Sequence, residues 1–462
     1  MVGFALTTAF MLAAGCGSAK QGSGFDDGDN ASDGGTGDGG GSKGAGLGGG
    51  ASGDGGLDCN AGNYGSVSGT AYAPNGTLAL YNVIVFAPTK PLDPLTEGVS
   101  CDKCGSVSGS PAASTTSGPD GKFSLNGVPA GDNVPVVLQV GKWRRQITIP
   151  HVSKCTDTPI TDPDQSRLPK NHTEGDIPHI AVTTGTCDAI ACVLPKMGID
   201  ASEFGVQSDY ANKRVIFYQG DGPTINNGSP AITPAQNLWG SASEIAKYDV
   251  AIFSCECNEA TDSKQPADET VVANYLDSGG RTFGTDFQYV WTHKGNEFGG
   301  TPTTPTENVM QSFVGGAPVD TLTATNYSID TTFPKGLALG QWLQAVGGST
   351  TATDVSLTTV FKNFGRVDPT LGQRWVYGDT DKAISYTTPF SEAEADRCGK
   401  SYFMDIHVGS GSVGPGFPNG PGGSTTGGCG TTLTPQEKMM VFFLMDLASC
   451  IQDDTKPVAP PR

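Results

Sequence analysis

The chain has 462 residues, more than one hydrophobic core usually organises, so two or three domains are expected. It carries 28 Lys and Arg against 47 Asp and Glu, a formal charge of −19, and an acidic surface of this kind repels phosphate backbones and argues against nucleic acid as a partner. Twelve Cys are many for a cytosolic protein and point to an oxidising compartment, while the 66 Gly crowd into linkers and leave 36% hydrophobic residues to build cores.

Residues 1–16 read MVGFALTTAFMLAAGC. The apolar run from Val2 to Ala14 is too short to span a bilayer, which takes about 20 helical residues, and it suits the core of a signal peptide. It ends in Ala13-Ala14-Gly15-Cys16, small residues followed directly by a Cys. The segment resembles the lipobox of bacterial lipoproteins, with Leu12 one place early and no Lys or Arg ahead of the run. The reading is therefore a signal peptide over 1–15 and lipidation at Cys16, with the membrane as a partner through that lipid. From Gly17 to Gly56 only Phe25 and Leu47 are large and apolar, so the segment cannot offset its ordering entropy. Residues 16–57 are read as the lipidated Cys plus a disordered linker with a span of roughly 35 Å.

Over 58–160 short β-type runs alternate with turns. Ser66–Tyr72 precedes Pro74-Asn75-Gly76, Tyr81–Phe86 follows, and Asp120-Gly121 leads into Lys122-Phe123-Ser124-Leu125 before Val134–Val140 and Arg145–Ile149. Turns of this chemistry between alternating runs predict an all-β sandwich. The Asn82-Val83-Ile84-Val85, Asp120-Gly121-Lys122-Phe123 and Val128-Pro129-Ala130-Gly131 segments resemble the carboxypeptidase regulatory-like, transthyretin-like sandwich. That resemblance implies a non-catalytic spacer, or an adhesion unit for carbohydrate or an envelope protein. An insertion carries Cys101-Asp-Lys-Cys104, which has no helix to lower a thiol pKa and is expected to close a local disulfide. Residues 161–205 are read as a connector rich in Pro and Asp, in which Cys187 and Cys192 could close a small loop.

Over 206–452 the pattern changes to strand and helix in alternation. Arg214–Tyr218 and Tyr248–Phe253 are strands, with a helix from Thr233-Pro234 between them burying Leu238, Trp239 and Ile245. A second helix starts at Pro266, turns Val271, Val272, Tyr275 and Leu276 inward and stops at Gly279, and Arg281–Gly284 is the next strand. This order predicts a parallel, flavodoxin-like α/β domain. Thr434-Pro435-Gln436-Glu437 has capping-box spacing and opens an apolar helix too short to cross a membrane. Residues 453–462 are read as a disordered tail.

The stretch YDVAIF … ANYLDSGGRTFGTDFQYVW resembles the class I glutamine amidotransferase-like fold, including its ThuA-like branch. The resemblance implies a nucleophilic Cys on the turn after the third strand, but the chain has Phe283-Gly284-Thr285-Asp286-Phe287 there. It also implies a His, matched by His407 in SYFMDIH, and an acidic residue two places later, where Gly409 stands. The missing nucleophile points to a non-catalytic scaffold with a binding or structural role in the bacterial envelope, at the outer membrane or cell surface, without a cofactor. The alternative is a surface hydrolase or metal-dependent enzyme. Cys255 and Cys257 follow a strand at the carboxyl edge where α/β sites form, and with His407 or His293 and Asp286 they could supply a nucleophile or zinc ligands. Structural disulfides are the competing use of the thiols. Cys101, Cys104, Cys187, Cys192, Cys398 and Cys429 are the candidates, and with Cys16 lipidated an odd number remains.

Overall fold

The computed structural model describes residues 62–222, 225, 231–259, 263–292, 309, 324–363, 365–409, 413–418 and 428–460. The expectations for the leader at 1–15, for Cys16, for the linker 16–57 and for His293 lie outside these residues. Seven strands come first: β1 (Tyr64–Thr70), β2 (Ile84–Pro88), β3 (Pro111–Thr116), β4 (Lys122–Pro129), β5 (Gly131–Val140), β6 (Trp143–Val152) and β7 (Asp157–Pro159). They form a three-stranded sheet in the order β4-β1-β7 and a four-stranded sheet in the order β3-β2-β5-β6. Every second residue turns inward, so Phe123 and Leu125 of β4 join Val67 of β1 and Val85, Val136 and Leu138 of the other sheet in a shared core. Asp120 accepts from the Lys122 amide at 3.0 Å and Gly121 takes a φ of +75°, the left-handed conformation this turn requires. The Pro- and Gly-rich insertion contributes β3 as an edge strand, where proline is tolerated.

A ten-stranded sheet follows. Its strands are β8 (Ile180–Thr183), β9 (Phe204–Val206), β10 (Val215–Tyr218), β11 (Val250–Phe253), β12 (Arg281–Thr285), β13 (Thr325–Ile329), β14 (Asp354–Leu357), β15 (Gly372–Tyr377), β16 (Asp381–Thr388) and β17 (Gly399–Met404). The order is β14-β13-β15-β16-β17-β12-β11-β8-β10-β9. The six strands from β17 to β9 run parallel, and the four from β16 to β14 add antiparallel pairs. The helices are α1 (Val193–Lys196), α2 (Gln236–Trp239), α3 (Ala242–Ile245), α4 (Pro266–Asp277), α5 (Pro334–Ala345) and α6 (Pro435–Ala448).

Both faces of the parallel part are apolar, as helices on two sides demand. Val215, Phe217, Val250 and Ile252 face one layer with α5, α6 and the two small sheets, whereas Ile216, Tyr218, Ala251 and Phe253 face α2, α3 and α4. The first layer is continuous: Tyr81 stacks on Phe442 of α6 with centroids 5.7 Å apart, and Trp342 of α5 donates to the Ala79 carbonyl at 2.8 Å. At the β5–β6 turn Gly141 has a φ of +53°, and a Cβ there would lie 1.7 Å from the Ala448 carbonyl oxygen, so only glycine lets the hairpin reach the end of α6. The described residues accordingly pack as one compact unit.

Four expectations change. The connector at 161–205 supplies β8 and β9, so the large sheet begins at Ile180 rather than after 206. The helix expected from Thr233-Pro234 is two short ones, because Gly240 ends α2 and Ser241 caps a new start at α3, although Leu238, Trp239 and Ile245 are buried as anticipated. The tail from 453 is ordered at its beginning, where buried Asp454 bonds Lys335 and Lys400. The four disulfides whose cysteines are both described are long-range. Cys101 pairs with Cys398, Cys104 with Cys450, Cys187 with Cys257 and Cys192 with Cys429. The local Cys101–Cys104 bond and the small Cys187–Cys192 loop are thus replaced by bonds that staple remote segments. The capping box does form: Thr434 Oγ1 accepts from the Glu437 amide and Glu437 Oε2 from the Thr434 amide. Among the described residues no helix is long and apolar enough to cross a membrane.

Candidate functional site

The parallel strands end together, and the loops leaving their carboxyl ends hold most of the chemistry of the chain. β8 lies between β11 and β10, so the strand order reverses at the loops after β8 and β11, the kind of place where sites form in parallel sheets. The Cys187–Cys257 disulfide joins these two loops, and the Cys187 amide donates to the Cys255 carbonyl at 3.3 Å. Cys257 is therefore spent on structure and falls out of the set of reactive candidates. Cys255 stays a free, buried thiol.

Asp286 is the first residue after β12, and it adopts a φ of +48°, a conformation that side-chain-bearing residues seldom take. The turn carries its carboxylate to Cys255 and His407. The Cys255 thiol donates to Asp286 Oδ2 at 3.0 Å, and His407 Nε2–H donates to the same oxygen at 2.9 Å. His407 comes from the segment after β17, where Asp405-Ile406-His407 still alternates like a strand and brings both polar residues to the same side. The side chains of Asn363, Asp286 and Asp405 are linked: Asn363 Nδ2 donates to Asp286 Oδ1 and to Asp405 Oδ1, the latter at 2.8 Å. Cys255, Asp286, Asn363 and Asp405 are all buried, and the His407 side chain alone retains some exposure, 12%. His407 thus stands between solvent and the groups beneath it.

A second carboxylate reaches the backbone just after His407, from the loop after β8. Asp188, in the loop after β8, accepts from the Val408 and Gly409 amides at 2.9 and 2.8 Å and from Thr285 Oγ1 at 2.9 Å. It binds the backbone where Gly409 replaces the expected acidic side chain. Buried charge sets the electrostatics. Burial, reinforced by the Asp286 carboxylate, pushes the Cys255 thiol well above its usual value, so it is not a ready thiolate. Burial also raises Asp188, and burial with Asp286 alongside raises Asp405 to about 7 against the pull of Lys382. Burial alone would lower His407, but its bond to Asp286 and the fields of Asp188, Asp286 and Asp405 outweigh that and raise it.

Of the residues singled out in the sequence, the structure gathers Cys255, Asp286 and His407. Cys257 and the six disulfide candidates are spent in disulfides instead. Sequence reasoning passed over Asp188, Asn363 and Asp405. Asp405 was detectable by its two-residue spacing from His407, but Asp188 sat in a segment read as connector, and Asn363 has no local signature.

No family model and no curated protein matches the chain. Among solved structures it is similar to a cytoplasmic protein, STM3548, from Salmonella typhimurium, at 8% identity and a TM-score of 0.30, over 58% of this chain and 98% of that one. It is also similar to the exo-beta-1,4-mannosidase Op5Man5 from Opitutaceae bacterium strain TAV5, at 8% identity and a TM-score of 0.22, over 50% of this chain and 32% of that one.

Proposed function

We propose that this is an exported, lipid-anchored envelope protein whose large sheet carries a hydrolytic site built on Asp286 and His407. In this reading 58–160 is a transthyretin-like β-sandwich that serves as a spacer or adhesion unit for carbohydrate or another envelope protein. The large sheet is a class I glutamine amidotransferase-like scaffold whose cysteine nucleophile is replaced by an aspartate. The observation that carries the reading is the convergence of His407 and Cys255 on the carboxylate of Asp286, on a turn with positive φ at the carboxyl edge of a parallel sheet. Such a cluster suits activation of water: His407 takes the proton, Asp286 orients and balances the imidazole, and Asp188 holds the backbone that follows it. Cys255 serves as a buried partner of Asp286 and not as the attacking group, since its thiol is held protonated.

Two measurements test this. A model ester such as p-nitrophenyl acetate is expected to be hydrolysed by the protein, and His407→Ala to lose that rate by about 100-fold or more with an unchanged thermal midpoint. Equal rates in both proteins would return the domain to a binding or structural role, for which full burial of Cys255 and Asp286 is the favouring observation. For the anchor, Cys16→Ala is expected to move the protein from the membrane fraction to the soluble fraction. Unaltered fractionation would remove the lipid from the proposal.

A further inference from the structure

We infer that Cys255, Asp286 and His407 hold a zinc-class transition-metal ion, with a position left open for water; this rests on the reading of the same residues as a reactive site and names its cofactor. The first ground is the donor set. A thiol sulfur, a carboxylate oxygen and an imidazole nitrogen, from three different strand ends, all lie within 4.8 Å of one another. Donor atoms around a tetrahedral zinc ion stand roughly 3.3–3.6 Å apart, given bonds of about 2.0–2.3 Å. The S···O and N···O separations here, 3.0 and 2.9 Å, need only open slightly to admit the ion. Sulfur plus imidazole excludes calcium and magnesium, which take oxygen shells, and three protein ligands with a free fourth position is the arrangement of catalytic rather than structural zinc.

The second ground is charge. Three buried carboxyl groups, Asp188, Asp286 and Asp405, adjoin the site, and Asn363 links two of them, Asp286 and Asp405. Buried carboxylates demand pairing or metal coordination. A divalent ion bound through the Cys255 thiolate adds one net positive charge to this assembly, because the thiol proton leaves to solvent as the sulfur–metal bond forms. His407 Nε2 becomes a ligand once the ring proton sits on Nδ1, and activation of water then passes from the imidazole to the ion.

The third ground is independent of both. Asn363 spends its Nδ2 on Asp286 and Asp405, yet its Oδ1 is buried without a hydrogen-bond partner. A buried acceptor left bare on the side chain that bonds a ligand carboxylate calls for a proton-bearing group, such as the water of an open metal position. When bound, the ion would lower the pKa of that water and make it a nucleophile at neutral pH.

The test uses the full chain with its disulfides intact, stripped with a chelator and then titrated with Zn²⁺ and, separately, Co²⁺. One equivalent of Zn²⁺ by elemental analysis and a thiolate-to-cobalt charge-transfer band are expected. Cys255→Ser is expected to lose the band and at least about 100-fold in affinity. His151→Ala, at the exposed pair with Asp132, is expected to bind as the parent does. Cobalt bound without the charge-transfer band, or affinity unchanged in Cys255→Ser, would overturn the inference. The two proposals fail separately. Ester hydrolysis that persists in the chelated protein and is lost in His407→Ala keeps the hydrolytic reading and removes the metal. One bound equivalent with a cobalt–thiolate band and no hydrolysis keeps the metal and removes the hydrolytic reading.

Discussion

Asp446→Asn is expected to lower the unfolding free energy by about 3–5 kcal/mol, because it breaks a buried charge network by removing one partner. Asp446, on α6, accepts from Lys335 of α5 at 2.6 Å, from Lys400 of β17 and from the Tyr402 hydroxyl at 2.7 Å. Asp454 completes the network, at 2.7 Å from Lys335 and 2.9 Å from Lys400. Lys335 is 1% exposed and Lys400 3%, so neither ammonium has water to turn to once a carboxylate is gone. The same network gives the protein an acid limit. Burial would raise the Asp446 pKa, but Lys335 and Lys400 hold it below the usual carboxylate range. A group lowered on folding contributes its full stability above the unfolded value of about 3.9 and loses it as pH falls toward the folded value. Equilibrium urea unfolding should therefore weaken below about pH 4 in the parent and depend less on pH there in Asp446→Asn. A loss below about 1 kcal/mol would mean that the site is solvated like a surface pair.

Removal of the Cys192–Cys429 bond by a double Ser substitution is the other large expected effect, at about 2–5 kcal/mol. These residues are 237 apart in sequence, and the bond ties the short helical segment before α1 to the segment that leads into α6. A cross-link restricts the unfolded chain more as the closed loop grows, and the other bonds shorten the effective loop without abolishing it. Cys101–Cys398 and Cys104–Cys450 act alike on the insertion before β3. Thermal unfolding with and without a phosphine reductant should show a fall in midpoint when all bonds are opened, and a smaller one in the double variant. No change with reductant would mean that packing alone holds these segments.

The parts of the site that were legible in the sequence share one property: each follows an apolar strand. RVIFY, YDVAIF and SYFMDIH are recognisable from composition alone, and parallel sheets place whatever follows such runs at one edge. That logic picked Cys255, Asp286 and His407, and it picked Cys257 with them, which ended in a disulfide. Asp188 escaped because β8, Ile180–Thr183, lies inside a Pro- and Asp-rich segment whose composition reads as a connector. The antiparallel extension from β13 to β16 escaped for a related reason, since strands at one end of a sheet acquire their order from their neighbours.

By itself, the sequence determined what local physics controls. The capping box at Thr434, the Pro266 start and Gly279 stop of α4, the left-handed turn at Gly121 and the inward face of each central strand depend on residues within a few positions of one another. Tertiary structure decided the rest. Which cysteines pair across up to 346 residues, which carboxylates neutralise Lys335 and Lys400, and that His407 and Cys255 meet on Asp286 follow from strand order, and no short-range pattern encodes strand order. These contacts also bury charge and close long loops, so they form only where the completed sheet already holds their backbones in place.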